Sequence, residues 1–173
     1  ERDDEPKHNS QQRRIDRDYA IFGELAWDIT EQLTLTGGAR AYKYKNSLVG
    51  FFGYSAGYSS RTGVAACFGP AEVDGSPCTN LDKTTSDTGW LPKVNLTYKV
   101  TDDALVYATY SQGFRPGGIN RRGTLPPYQS DQLDNFELGW KTSWADNTIR
   151  FNGAVYQLNW KDIQFSALGE NGL

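Results

Sequence analysis

The chain has 173 residues, with 18 basic and 21 acidic side chains, one histidine and no methionine. This balance gives no overall field to attract nucleic acid, and His8 alone cannot supply the three or four ligands of a zinc or haem site. No apolar run approaches the roughly 18 residues of a membrane-spanning helix. The missing initiator residue predicts a processed or excised piece of a longer protein.

The chain begins with a polar and charged stretch and then changes to segments with a period of two. Residues 1–17 are predicted to form a charged, exposed and mobile extracellular segment, because they cannot bury a core. Six runs then follow, each predicted to belong to a strand of about 10 to 14 residues, which is longer than the strands of most soluble sheets. The runs are 18–27, 33–41, 92–99, 104–114, 136–144 and 149–156.

Apolar and polar side chains alternate within these runs, which is the signature of β-strands. In the second run, Leu33 and Leu35 share one face while Thr34 and Thr36 share the other. The fourth run carries no charge, and its sequence does not reveal which face points inward. The charges predicted to point inward are Glu24, Arg40, Lys93, Glu137, Lys141 and Arg150.

Short and long connections alternate strictly along the chain. Tight turns are predicted at 28–31, 101–103 and 145–147, whereas the loops 46–89 and 115–131 are long for a compact soluble domain. Residues 167–173 would begin a further loop. This asymmetry is typical of outer-membrane barrels, whose periplasmic turns are short and whose extracellular loops are long.

Strand alternation therefore predicts an all-β, antiparallel transmembrane barrel, of which 18–166 would be part of the wall. A sheet can cross hydrocarbon only when it closes, since every backbone group must find a partner. Six strands cannot close a wide barrel, so we expect the wall to continue at both ends. Aromatic residues near the strand ends favour interfacial girdles. A soluble antiparallel sandwich is the alternative that shares the same alternation.

Three phrases resemble the barrel of TonB-dependent outer-membrane receptors. The first is a YxxYSxGFRPGG-type strand end, matched by Tyr107, Tyr110, Ser111, Gly113, Phe114, Arg115, Pro116 and Gly117. The second is a YELGxK strand, matched by Phe136, Glu137, Leu138, Gly139 and Lys141, with Phe136 where Tyr is usual. The third is an NxAxFxxxYxDIQ strand, matched by Asn152, Ala154, Tyr156, Trp160, Lys161, Asp162, Ile163 and Gln164, with Tyr156 where Phe is usual.

The resemblance implies about six strands of a 22-stranded barrel that holds a folded plug in its lumen. Such receptors sit in the bacterial outer membrane and import scarce nutrients such as ferric siderophores, cobalamin or haem. They are driven by TonB with ExbB and ExbD, acting through a plug domain that is not in this chain. The resemblance also implies contact with outer-membrane lipid, a small-molecule ligand, no covalent cofactor, no metal site, no nucleic acid and no catalytic residues.

Two groups of residues are candidate ligand contacts. The first is the aromatic cluster in FFGYSAGYSS, where exposed rings among small residues suit stacking on a ligand. Its members are Phe51, Phe52, Tyr54 and Tyr58. The second is Arg115, which suits an anionic ligand or a lipopolysaccharide phosphate. The alternatives are a loop that packs its own aromatics and a strand end shaped by simple turn chemistry. The pair Arg121 and Arg122 admits the same anion-binding hypothesis, although solvated loop charges are favoured.

The two cysteines, Cys67 and Cys78, lie close together in a segment rich in Gly, Ser and Pro. This spacing predicts a loop disulfide in an oxidising compartment, with two free thiols as the alternative.

The functional hypothesis is a TonB-dependent transporter that imports a scarce nutrient, with an iron chelate of the ferric siderophore type as the expected ligand. A passive porin-like channel and a secreted soluble β-domain that binds glycans are the alternatives. No phosphate-binding loop, paired catalytic carboxylates or Ser/His/Asp set is apparent, so an enzyme is not expected.

Overall fold

The computed structural model describes residues 8–54 and 65–165. Six strands in these ranges form one antiparallel sheet, in which each strand pairs with its neighbours in sequence. The strands are β1 (His8–Asp28), β2 (Leu33–Tyr54), β3 (Leu81–Thr101), β4 (Ala104–Arg115), β5 (Asp131–Trp144) and β6 (Ile149–Lys161). The predicted all-β meander is confirmed. That part of the chain contains no helix able to span a membrane.

The three tight turns lie where the sequence predicts them. Between β1 and β2 the Thr30 hydroxyl accepts hydrogen bonds from the backbone N–H groups of Gln32 and Leu33 at 3.2 and 3.0 Å. Between β5 and β6, Ala145, Asp146 and Asn147 all have positive φ angles. All short turns lie at one end of the sheet, because consecutive strands run in opposite directions.

The first three strands are longer than predicted. β1 begins at His8 rather than Asp18, so the predicted mobile segment 1–17 is strand from His8 onward. The predicted loop 46–89 is likewise strand up to Tyr54 and again from Leu81. A tilted strand crosses the hydrocarbon core in about 9 to 11 residues, so these strands extend well beyond it. Both of their faces then meet water, and the apolar alternation that marks a strand disappears while backbone pairing continues.

The register orients β4, which the sequence alone leaves undecided. Tyr110 lies opposite Val94, and Ala108 lies opposite Leu96. On the other side, Ala108 pairs with Leu138 of β5. Ala108 and Tyr110 therefore belong to the exposed apolar face, and Tyr107 and Thr109 to the polar face. In a membrane barrel the apolar face contacts lipid and the polar face lines the lumen.

The predicted inward charges share the polar face, and one ion pair spans a whole strand. Glu24 of β1 and Lys93 of β3 both lie opposite Gly38 of β2. Their side chains meet above this glycine, with Lys93 Nζ 2.8 Å from Glu24 Oε2. Since Gly38 has no side chain to separate them, two strands that share no backbone ladder are linked directly.

Gly139, in the ELGW phrase of β5, makes room for an aromatic ring. It lies opposite Tyr107 of β4, and a Cβ at this position would overlap the Tyr107 ring. The ring lies across the glycine, and its hydroxyl donates a hydrogen bond to Glu137 Oε1 at 2.6 Å. Lys141 Nζ lies 5.9 Å from the centre of the same ring. The ELGW motif of β5 is therefore part of a packed polar cluster on the inner face.

Candidate ligand cleft at the long-loop end

A cleft of about 810 Å³ opens at the long-loop end of the sheet. It is lined by residues of β1, β2 and β4, by the β4–β5 connection and by the segment after β6. Its walls combine arginine with aromatic and aliphatic side chains. The lining residues are Arg14, Phe52, Arg115, Ile119, Asn120, Arg121, Arg122, Leu125, Tyr128, Gln129, Asp162, Ile163, Gln164 and Phe165.

The floor of the cleft is a small apolar cluster. Leu48, Leu81 and Ile119 are buried together, and Phe52 packs against them. Asn80 fastens the end of β2 to this floor, since its amide group accepts from Phe52 N at 2.9 Å and donates to Phe52 O at 3.0 Å. The floor thus joins β2, β3 and the β4–β5 connection.

One wall is fixed by Arg115 at the end of β4. Its guanidinium contacts Asp131 Oδ2 at 2.9 Å from Nε and 2.6 Å from a terminal nitrogen. The Asp131 side chain is only 2% exposed, whereas that of Arg115 is 48% exposed. Arg115 also donates to Gln164 O at 2.7 Å and lies 5.7 Å from the Trp160 ring centre. The ends of β4, β5 and β6 are therefore held together by this arginine.

The start of the β4–β5 connection is held against β2. Gly117 N donates to the Tyr44 hydroxyl at 3.0 Å, and Gly117 O accepts from Asn46 Nδ2 at 3.0 Å. A Cβ on Gly117 would lie 2.9 Å from that hydroxyl and 2.6 Å from Tyr128 O. The glycine of the RPGG phrase is required here because the backbone approaches its neighbours so closely.

A lysine from β3 fixes the arginine-bearing part of the same connection. Lys83 Nζ donates to the carbonyl oxygens of Arg122 at 2.9 Å and Leu125 at 2.6 Å. Burial lowers the pKa of Lys83, since it penalises the charged ammonium. Neither Arg121 nor Arg122 has an ion pair with another residue of the described chain. Their charges remain available to a ligand.

The disulfide loop lies beside the cleft, between β2 and β3. Cys67 and Cys78 are bonded to each other. Thr79 is buried just after the bridge, and its backbone exchanges hydrogen bonds of 3.0 Å with Phe68 and Gly69. The Thr79 hydroxyl also donates to Pro70 O at 2.6 Å. The bridge therefore closes a small packed loop rather than tying distant strands.

The predicted aromatic ligand contacts lie in different environments. Phe52 lines the cleft, but Phe51 is only 2% exposed and does not line it. Tyr54 ends β2, and its side chain lies outside the described part of the chain, as does all of Tyr58. The structure brings Phe52 and Arg115 into one cleft, with Arg115 engaged by Asp131. Ligand contact stays a prediction for all of these residues.

Sequence reasoning missed Arg14, Tyr128 and Asp131. Arg14 lies in a polar run without alternation, and nothing in the sequence marks its side. Asp131 ends the predicted loop 115–131 and looks like an ordinary turn residue until its burial beside Arg115 is seen. The Arg121–Arg122 pair, favoured as solvated charge, lines the cleft.

The side chains alternate between an apolar and a polar face, and short turns at one end of the sheet alternate with long loops at the other. These two features together define part of an outer-membrane β-barrel wall. A family model described as TonB dependent receptor-like, beta-barrel, matches residues 3–173. The chain belongs to this family. Its members are outer-membrane receptors of Gram-negative bacteria rather than enzymes. The secreted soluble β-domain is therefore wrong as an alternative.

Individual relatives are more distant. The pesticin receptors of Yersinia pestis and Yersinia enterocolitica are each 26% identical over 149 residues, which cover 84% of this chain and 19% of theirs. The ferric yersiniabactin uptake receptor FyuA from Yersinia pestis shares 22% identity with a TM-score of 0.66, over 88% of this chain and 21% of that one. The closed form of the ferric-catecholate import receptor Fiu from E. coli K12 shares 20% identity with a TM-score of 0.66, over 94% and 23%. The chain thus spans about a fifth of the length of these relatives.

Proposed function

We propose that this chain is part of a receptor that binds an anionic ferric siderophore in the cleft and imports it with energy from TonB. The arginine content of the cleft is the observation that carries the proposal. Four arginines line it; Arg14 and Arg115 are paired with Asp16 and Asp131, whereas Arg121 and Arg122 have no ion pair with any described residue. Iron(III) chelates of the catecholate class carry net negative charge, and guanidinium groups pair well with such oxygens.

The aromatic and aliphatic residues of the cleft suit the organic part of such a chelate. Phe52 and Tyr128 offer ring faces, and Ile119 offers an apolar floor. Small-molecule sites commonly combine apolar walls with a few polar groups that fix orientation. FyuA, a ferric yersiniabactin uptake receptor, and Fiu, a ferric-catecholate import receptor, support an iron chelate as the ligand.

Coupling to TonB, ExbB and ExbD would require a plug domain in the full-length receptor. Dependence of uptake on TonB distinguishes the proposed receptor from a passive porin-like channel. A channel would admit the chelate down its gradient whether or not TonB is present. Uptake by the proposed receptor would stop when TonB is deleted.

The test uses the full-length receptor that contains this chain. Binding of an anionic tris-catecholate iron complex is compared with binding of an uncharged tris-hydroxamate iron complex, by quenching of tryptophan fluorescence. We expect Arg121→Gln with Arg122→Gln to weaken binding of the anionic complex roughly tenfold, since two exposed ion pairs are lost. The uncharged complex should be affected much less.

Lys99→Gln with Arg150→Gln is the matched control, because it removes two positive charges from the polar face at the short-turn end. This control should bind the anionic complex as the wild type does. The proposed site would be overturned if the Arg121/Arg122 variant bound each complex with the same affinity as the wild type. TonB-independent uptake by cells would overturn the proposed transport mechanism.

A further inference from the structure

A second, smaller cavity of about 220 Å³ lies next to the cleft and is called here the side pocket. Side chains of β1 and β2 form one of its walls, and the β4–β5 connection forms the other. Three of its residues also line the cleft, so the two spaces are neighbours. The lining residues are Gln12, Arg14, Asn46, Leu48, Ile119 and Arg121.

One buried nitrogen of the side pocket has no hydrogen-bond partner. It is Nε2 of Gln12, and within residues 8–54 and 65–165 no other buried side-chain nitrogen or oxygen lacks a partner in this way. A buried donor without an acceptor costs free energy, and native structures contain few of them. This amide therefore suits an acceptor atom that the described part of the chain does not supply.

The strand register explains why no neighbouring side chain satisfies this amide. Gln12 lies opposite Gly50 of β2, which has no side chain to offer an acceptor. Gly50 has a φ angle of +138°, and a Cβ there would overlap the Gln11 carbonyl oxygen, so a larger residue does not fit. The next pair on the same face is Arg14 with Leu48, and neither side chain is an acceptor. The strand pair thus leaves the amide free for a ligand atom.

The polar groups around the side pocket are donors with free capacity. Arg14 donates from Nε to the two carboxylate oxygens of Asp16, at 3.0 and 2.8 Å, and its terminal nitrogens form no hydrogen bond with a described residue. Arg121 has no ion pair within the described ranges. None of the six lining residues carries a carboxylate. Two guanidinium groups and an amide favour an anionic acceptor, and the planar guanidinium matches a carboxylate.

The remaining wall of the side pocket is largely apolar. Leu48 and Ile119 belong to the buried cluster that forms the floor of the cleft. Asn46 donates to Gly117 O at 3.0 Å, which holds the β4–β5 connection against β2 at this point. The volume of about 220 Å³ is several times the roughly 30 Å³ that one water occupies in the liquid, so a single bridging water does not fill it. A short aliphatic chain that ends in a carboxylate matches both parts of the lining.

We propose that the side pocket binds a carboxylate on a short aliphatic arm of the imported iron chelate. This inference rests on the proposed function and adds that the ligand carries an acidic arm that does not coordinate iron. Gln12 donates through Nε2 to one carboxylate oxygen, and Arg14 and Arg121 pair with the carboxylate. The groups that coordinate iron stay in the cleft. The side pocket therefore selects among anionic chelates by the presence of this arm.

The test uses the full-length receptor and two tris-catecholate iron complexes that differ in one group. The first carries a propanoate arm on its organic backbone, and the second carries the methyl ester of the same arm. Quenching of tryptophan fluorescence measures the dissociation constant of each complex. The wild type should bind the acid roughly 30-fold more tightly than the ester, because hydrogen bonds to charged groups are stronger than those to neutral ones.

Gln12→Met removes the amide donors while retaining the length of the side chain and the net charge. It should reduce the preference for the acid roughly tenfold and change binding of the ester much less. Gln11→Met is the matched control, because Gln11 is exposed and, as the adjacent residue of β1, lies on the opposite face. This control should keep the wild-type preference. Heat-modifiable migration on gels establishes that each variant is folded.

The inference would be overturned if the wild type bound the acid and the ester equally, a comparison that needs no variant. It would also be overturned if Gln12→Met weakened binding of both complexes by the same factor. In either case tight binding of the ester would leave the proposed function intact, since the cleft would hold the chelate without the arm. Failure of both complexes to bind the wild type would overturn the proposed function and this inference together.

Discussion

The Arg115 guanidinium holds the buried Asp131 carboxylate, with contacts of 2.9 and 2.6 Å to the same oxygen. The backbone N–H of Arg115 donates to the other oxygen at 3.0 Å. Through this pair, the arginine of the RPGG motif holds the ends of β4, β5 and β6 together, which a simple strand end would not do. The two partners differ in burial, and their replacements should therefore have different consequences.

Arg115→Ala should destabilise the full-length receptor by about 3 kcal/mol, because it leaves a buried carboxylate without its counter-charge. Asp131→Asn should cost only about 1 to 2 kcal/mol, since the half-exposed guanidinium regains water. Urea unfolding in detergent, followed by tryptophan fluorescence, measures both values. The reverse order would show that the carboxylate is not the more demanding partner.

Gly139→Ala should destabilise the receptor by about 1 to 3 kcal/mol, because the new methyl group displaces the Tyr107 ring. The hydrogen bond from Tyr107 to Glu137 would be lost with it. Gly37→Ala is the matched control, since nothing lies within 4 Å of the added atom. The control should stay within about 0.5 kcal/mol of the wild type in the same unfolding assay. Equal effects of the two substitutions would contradict the packing described for Tyr107.

The Glu24–Lys93 pair should contribute little to stability despite its short distance. Both side chains are about half exposed, at 51% and 50%. A double-mutant cycle with Glu24→Gln and Lys93→Gln should give a coupling free energy below about 1 kcal/mol, and salt should reduce it further. A coupling of several kcal/mol would mean that the inner face is much drier than this exposure implies.

Replacing Cys67 and Cys78 by serine should loosen the loop between β2 and β3 while leaving the barrel folded. The bridge spans 11 positions of sequence, and closing a loop of this size restricts the unfolded chain by about 3 kcal/mol. Limited proteolysis should cut the variant within this loop much faster than the wild type. Unchanged cleavage rates would show that Thr79 and Asn80 hold the loop without the bridge.

The sequence predicts the membrane-crossing part of the fold well, because lipid on one side and water on the other impose a period of two. The turns at Thr30 and Asn147 follow from ordinary turn chemistry. The upper halves of β1 to β3 could not be predicted this way. With water on both faces there, residues such as Arg13 and Lys45 leave no alternating trace, although their backbones remain paired.

The cleft is predictable only in part. Phe52 and Arg115 are found from composition and motif, but the sequence does not reveal that Phe51 is buried whereas Phe52 lines the cleft. Asp131 becomes recognisable only when β4, β5 and β6 meet in space. Such sites depend on contacts between residues far apart in sequence, which no local pattern records.

The unequal strand lengths give this part of the wall a sloping rim. β1, β2 and β3 have 21, 22 and 21 residues, whereas β4, β5 and β6 have 12, 14 and 13. All six start from the same level at the short turns. The sheet is therefore higher above the membrane on the side of the disulfide loop. The cleft lies at this step, since its lining comes from the tall strands β1 and β2 and from the end of the short strand β4.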